Sequence, residues 1–197
     1  MNQTAIDLSC PSCGAPTNTG AKTCPYCSRP IVISTFRSVL EMSLPELNKY
    51  SRSYQNALTD HPNDSQLRKS SGFCFLALKL YDKALAAFED VIQSDFNDSE
   101  AYFYASMCLL NGKKAYLASR PVIDRIEEYI TAAIMIEPLG IYYYFYAYIK
   151  YDYFARKYFV TSPTYEELLL EAEDNGLSDY DISQVFLILN VDRPDEL

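Results

Sequence analysis

The sequence predicts a mainly α chain whose helices recur with a period of 34 residues, preceded by a small N-terminal module held by cysteines. Three observations carry this reading. Two Cys-Pro-x-Cys pairs, at 10 and 13 and at 24 and 27, stand ten residues apart near the start of the chain. Asn63-Asp64-Ser65 returns as Asn97-Asp98-Ser99, and Cys74 returns as Cys108, each 34 residues on. No strong strand pattern follows residue 42.

Composition bounds the answer. A chain of 197 residues is one ordinary domain, or one domain with a small appendage. Apolar residues make up 49% and charged residues 22%, which allows a packed core and excludes wholesale disorder. Acidic residues outnumber basic ones 26 to 17, for a net charge of -9. Such a surface repels a phosphate backbone and argues against a general nucleic-acid binder unless a local basic patch exists. Met1 to Leu8 has neither the basic flank nor the apolar core of a secretory signal. The longest nearly apolar run, Leu139 to Ile149, falls short of the about 20 residues a membrane-spanning helix needs. The expectation is a cytoplasmic protein with no membrane partner, and in a reducing compartment paired cysteines serve metals more often than disulfides.

The N-terminal module spans residues 1–33. Each Cys-Pro-x-Cys pair is followed by Pro, at 16 and at 30. A C-x-x-C turn aims two sulfurs at one point, and a second such turn completes a tetrahedron that suits Zn²⁺. Cys10, Cys13, Cys24 and Cys27 are therefore the expected ligands of one zinc ion, with a redox dithiol pair as the rival reading. Four cysteines close the coordination shell, so the ion is structural and not catalytic. So small a module needs the metal to fold. After the first pair, Gly14 suits a left-handed backbone, whereas Ser28 at the matching place predicts a less regular second turn. This segment resembles the short bacterial zinc ribbon, with its CPxCG knuckle, brief hairpin and second CPxC knuckle.

Residues 34–42 read as a linker, with a short strand plausible at Ile31 and Ile33, which alternate. Ser43-Leu44-Pro45-Glu46 is a capping box with an early Pro, a strong helix start. From there the 34-residue period governs. Gly72 and Ala84 are small where two helices would cross closely, while Phe75 and Phe88 are large. Tyr50, where the preceding unit should have a small residue, marks that unit as a variant. In the unit from Ser99 about eight residues are inserted near Leu117 to Pro121, and its second helix should run to Glu137. One tyrosine-dense helix is expected over 141–157. Ser162-Pro163 or Thr164-x-x-Glu167 should start the next helix and Gly176 should end it, with Ser178 starting a final capping helix.

Residues 43–197 resemble a tetratricopeptide-repeat (TPR) domain, most closely over 62–111. The resemblance implies an antiparallel helical-hairpin (TPR-like) solenoid that binds another protein or peptide through a groove lined by the first helix of each unit. On this sequence the groove residues are Lys69, Phe73 and Leu76, then Phe103, Met107 and Leu110. In the last unit they are Tyr142, Phe145 and Ile149, or Ile141, Tyr144 and Tyr148 in the alternative register. The rival placement buries Phe73 and Phe103 beneath the C-terminal helices.

No Walker A loop, Rossmann glycine pattern, G-x-S-x-G elbow or H-E-x-x-H motif is present. His61, the only histidine, stands at a helix end, where it suits the dipole. Cys74 and Cys108 share one core-facing repeat position and read as inert. Glu127-Glu128 and Glu166-Glu167 read as solvated helix faces. At least two tyrosines of the cluster from Tyr142 to Tyr153 are candidates for a binding surface. The function expected is a non-enzymatic adaptor or scaffold with a structural zinc. The alternative is a nucleic-acid-associated regulator acting through the ribbon, where residues 1–33 offer only Lys22 and Arg29 against Asp7.

Overall fold

The computed structural model describes residues 5–197, and the reading of Met1 to Leu8 falls partly outside the described residues. The chain forms two compact units, one ending at Asp95 and the other beginning at Phe96. Both are mainly helical and built from helical hairpins, the TPR-like solenoid class that the sequence predicts.

The first unit opens with strands β1 (Asp7–Ser9) and β2 (Pro16–Asn18), paired antiparallel with Leu8 opposite Thr17. The expected strand at Ile31 and Ile33 does not form. A single bridge joins Thr23 to Pro30 instead, and the alternation of Ile31 and Ile33 reflects burial on two sides. A four-residue helix that the sequence reading missed, α1 (Arg37–Leu40), follows. Then come α2 (Leu44–Asp60), α3 (Ser65–Ala77) and α4 (Tyr81–Ser94). The Ser43 N–H donates to Glu46 at 2.9 Å, closing the expected capping box. His61 caps the end of α2 as expected.

Tyr50 has a structural reason. The end of the ribbon, Pro30 to Ile33, is held by hydroxyls from α2 and α3. Tyr50 donates its hydroxyl to the Pro30 carbonyl at 2.7 Å, and Tyr54 donates to the Ile31 carbonyl at 2.9 Å. Ser70 on α3 donates to the Ile33 carbonyl at 2.7 Å. Each bond pairs a backbone group that burial would otherwise leave unsatisfied. The close crossing at Gly72 is also present: a Cβ there would lie 2.9 Å from the Phe88 ring.

The second unit contains α5 (Ser99–Cys108), α6 (Arg120–Ile136), α7 (Gly140–Ile149), α8 (Tyr165–Asp174) and α9 (Asp179–Leu189). The insertion before α6 carries a 3₁₀ turn, Ala115–Leu117, and Pro121 sits in the first turn of α6. Beyond α7 the helix continues as a π turn, Lys150–Phe154, and a 3₁₀ turn, Ala155–Lys157. Thr164 and Ser178 cap α8 and α9 through reciprocal bonds with Glu167 and Asp181. Such caps contribute about 1 kcal/mol each. Gly140 lets α7 start against the end of α8, where a Cβ would lie 2.5 Å from the Leu177 nitrogen.

Candidate metal centre and partner surface

Both knuckles are built alike. In the first, the Cys10 N–H donates to Ala15 O at 2.7 Å and the Gly14 N–H to Cys10 O at 2.9 Å. In the second, Cys24 donates to Arg29 O at 2.8 Å and Ser28 to Cys24 O at 2.8 Å. Gly14 has φ +78° and Ser28 φ +59°, so the second turn is as regular as the first. This corrects the expectation for Ser28, whose side chain accepts the left-handed conformation that the turn requires.

The repeated turns bring four sulfurs together, all within 4.8 Å of one another. Cys10 and Cys27 stand 3.7 Å apart, as do Cys13 and Cys24. Zinc–sulfur bonds of about 2.3 Å in a tetrahedron require sulfurs about 3.8 Å apart, so the donor set fits a four-thiolate metal ion. The thiols divide their protons unequally. Burial works to raise Cys24, but the N–H groups of Tyr26 and Cys27 and the neighbouring sulfurs outweigh it and bring the thiol down to about 7. At Cys13 the Ala15 N–H works downward, while desolvation and the other three sulfurs push the thiol up to about 12. Crowded thiols oppose one another's ionisation, and a divalent cation removes that conflict. Cys10, Cys24 and Ile31 form a small core over this centre. Arg29, one of the ribbon's two cations, is held by Glu46 at 3.1 Å.

The predicted groove residues lie elsewhere than expected. Phe73, Phe103, Met107, Tyr144, Phe145 and Tyr148 are all buried, whereas Lys69 and Ile141 are half-exposed. As the structure stands, these six are core and not an open groove. In the first unit the linker covers them: the Phe36 ring stacks edge-on against Phe73 at 6.3 Å. In the second unit α9 covers them, with Phe186 edge-on to Tyr148 at 5.6 Å and to Tyr144 at 6.2 Å. Gln184 donates to the Tyr104 hydroxyl at 3.2 Å. The rival placement, with the C-terminal helices in the groove, describes the second unit; in the first, the linker does the covering.

Much of the tyrosine cluster is likewise interior. Helix α7 packs against α6, α8 and α9; Tyr142, Tyr144, Tyr148 and Tyr153 are buried, and Tyr143, Tyr146 and Tyr151 are half-buried. Their hydroxyls find partners inside: Tyr148 accepts from the Ala115 N–H at 3.2 Å, and Tyr146 donates to Glu127 at 3.1 Å. The Tyr144 hydroxyl is buried without a partner. Cys74 and Cys108 are core residues, and burial pushes the Cys74 thiol up to about 12.

Sequence reasoning missed a polar cluster on the π turn. Lys150, only 5% exposed, meets Glu127 at 2.6 Å. Glu127 is thus half-buried and paired rather than solvated. Buried Asp152 accepts from the Tyr116 N–H at 2.7 Å and from Arg156 at 2.5 Å, pinning the insertion. The available signal was Lys150 and Asp152 directly after the apolar run. A cavity of about 610 Å³ opens beside Lys150, lined also by Arg120, Glu127, Phe154, Phe159 and Val160.

No family model and no curated protein matches the chain. A solved structure, MamA MSR-1 C2, is similar in fold, with a TM-score of 0.50 at 14% identity over 71% of each chain. That likeness is of the TPR-like helical architecture. Among the described residues, no helix is long and apolar enough to cross a membrane.

Proposed function

We propose that this chain is a non-enzymatic adaptor that binds another protein, with an N-terminal ribbon held by one structural zinc ion. The observation that carries the reading is the packing of TPR-like helical hairpins within each unit, an architecture suited to holding an extended or helical segment of a partner. A segment taking the place of α9 would meet Tyr144 and Tyr148, and Phe103, Met107 and Phe145 would support that face. In the first unit, Lys69 and Phe73 would serve similarly where the linker gives way. The unpartnered Tyr144 hydroxyl supports exchange of α9, because a buried hydroxyl without a partner costs about 1–3 kcal/mol. The zinc assignment rests on the four-sulfur geometry and on the thiolate preference of that ion.

Affinity capture from the native host tests the reading. Phe186→Ala loosens α9 and should recover more of one specific protein than the unaltered chain does. Recovery of no protein by either form would overturn the adaptor assignment. Metal analysis should give about one equivalent of zinc per chain, lost in Cys13→Ser. A metal-free native preparation with an ordered ribbon would overturn the zinc assignment.

A further inference from the structure

Lys150 opens the π turn, which buries four of its five residues. Turns of this kind recur at functional sites. Asp152, the other buried charge of the turn, has a structural task, since it holds the insertion through the Tyr116 N–H and Arg156. Lys150 is tied only to Glu127. A lysine is almost never fully buried unless paired, and Lys150 is 5% exposed with a single carboxylate for its ammonium, at 2.6 Å. Its other N–H groups meet ring faces: the ammonium lies 5.0 Å from the Tyr146 centroid and 4.9 Å from that of Phe154. It has no second oxygen partner among the described residues.

The cavity of about 610 Å³ beside Lys150 falls within the size range of small-molecule sites, about 300–1,000 Å³. Tyr153, Phe154, Phe159 and Val160 give it apolar walls, and Lys150, Glu127 and Arg120 supply its charged groups. These charges are matched in place, Lys150 by Glu127 and Arg120 by Asp124 at 2.7 Å. An ionic occupant would add an unbalanced charge among apolar walls, which is costly. Hydrogen bonding is not matched in the same way. Glu127 Oε1 already accepts from both Lys150 and Tyr146, whereas Lys150 and Arg120 retain N–H donors. The rim is also unfinished: Phe159 is 58% and Val160 97% exposed, apolar surface that the core does not cover.

We propose that this cavity binds an uncharged small molecule with a flat apolar body and a carbonyl oxygen. The carbonyl accepts from the Lys150 ammonium, and the body lies against Phe154 and Phe159. A charged donor makes a stronger hydrogen bond than a neutral one, and ring walls favour a flat partner. The matched charges select against ions, the spare donors call for an acceptor, and the aromatic walls call for an apolar body. Binding here makes and breaks no covalent bond. The cavity shares no lining residue with the α9 seat at Tyr144 and Tyr148, so this inference stands apart from the adaptor reading.

Nile red, an uncharged flat dye with one carbonyl, is a suitable probe. The full zinc-loaded chain should bind one equivalent, with the emission shifted to the blue. Lys150→Met with Glu127→Gln removes the ammonium without stranding a charge and should weaken binding about tenfold. Phe159→Ser, at an exposed position, should weaken it as well, and thermal melts should show both variants folded. If the paired variant fails to fold, Phe159→Ser decides alone. Pyrene, flat but without a carbonyl, should bind about tenfold more weakly than the dye. Absence of saturable dye binding, or undiminished binding by the folded variants, would overturn the proposal. Tighter binding of pyrene, or of the anionic dye anilinonaphthalenesulfonate, would overturn it too, by removing the need for an uncharged carbonyl ligand.

Discussion

Ser28 and Gly14 occupy equivalent places in two turns with the same hydrogen bonds, yet only one is glycine. A left-handed residue with a Cβ costs about 1–2 kcal/mol. Ser28→Gly should therefore raise the melting temperature of the metal-loaded ribbon, offset in part by the greater freedom of glycine in the unfolded chain. Gly140 makes the opposite point. Its would-be Cβ meets the Leu177 nitrogen at 2.5 Å and the Ala172 oxygen at 2.6 Å, both backbone atoms that cannot rotate away. Gly140→Ala should cost about 1–3 kcal/mol by overpacking, measured by chemical denaturation. Gly72→Leu should cost as much or more against the buried Phe88 ring. A neutral result would mean that α3 and α4 do not cross there.

At the scale of elements, two segments outside the hairpins determine what is buried. The linker covers α3 in the first unit, and α9 covers α5 and α7 in the second. Phe73 and Phe103 are consequently interior. Phe73→Ala and Phe103→Ala should each cost about 3–5 kcal/mol, read from denaturation curves. An open groove would make both substitutions nearly neutral. The hydroxyls of Tyr50 and Tyr54 hold the end of the ribbon, at Pro30 and Ile31, against α2, and each neutral hydrogen bond contributes about 1 kcal/mol. Tyr50→Phe should thus destabilise the first unit by about that amount, and a still milder effect would show that the ring alone holds the end of the ribbon.

The whole molecule carries 18 tyrosines and no tryptophan, and several of the tyrosines are interior. Burial pushes Tyr54, Tyr104, Tyr142 and Tyr148 well above their usual range, so the folded state holds them neutral. The folded value exceeds the unfolded value of about 10, so the stability these groups contribute is fully present below that pH and lost as pH rises above it. An alkaline titration should show exposed tyrosines ionising first. The buried ones should follow in a cooperative step coincident with loss of helical circular dichroism. Tyrosinate absorbance, unobscured by tryptophan, reports this directly. Gradual ionisation without unfolding would contradict the burial of these four side chains.

Local chemistry made much of this legible in advance. The doubled Cys-Pro-x-Cys motif specifies its own turns, so the clustering of the four sulfurs follows from spacing alone. The 34-residue recurrence identifies the hairpins because the crossing at Gly72 needs a small residue wherever the pattern returns. Helix starts at Ser43, Thr164 and Ser178 were readable because a cap and its Glu or Asp partner lie within one turn. Occupancy of the inner faces was not readable. Phe73 has the same sequence whether a partner or the linker lies over it, and only the path of Ile31 to Phe36 decides. The same holds for Lys150 and Glu127, which meet from positions far apart in the chain. Spacing along the chain encodes contacts within a turn or a repeat, whereas burial depends on which distant segment arrives, and that is decided by packing in three dimensions.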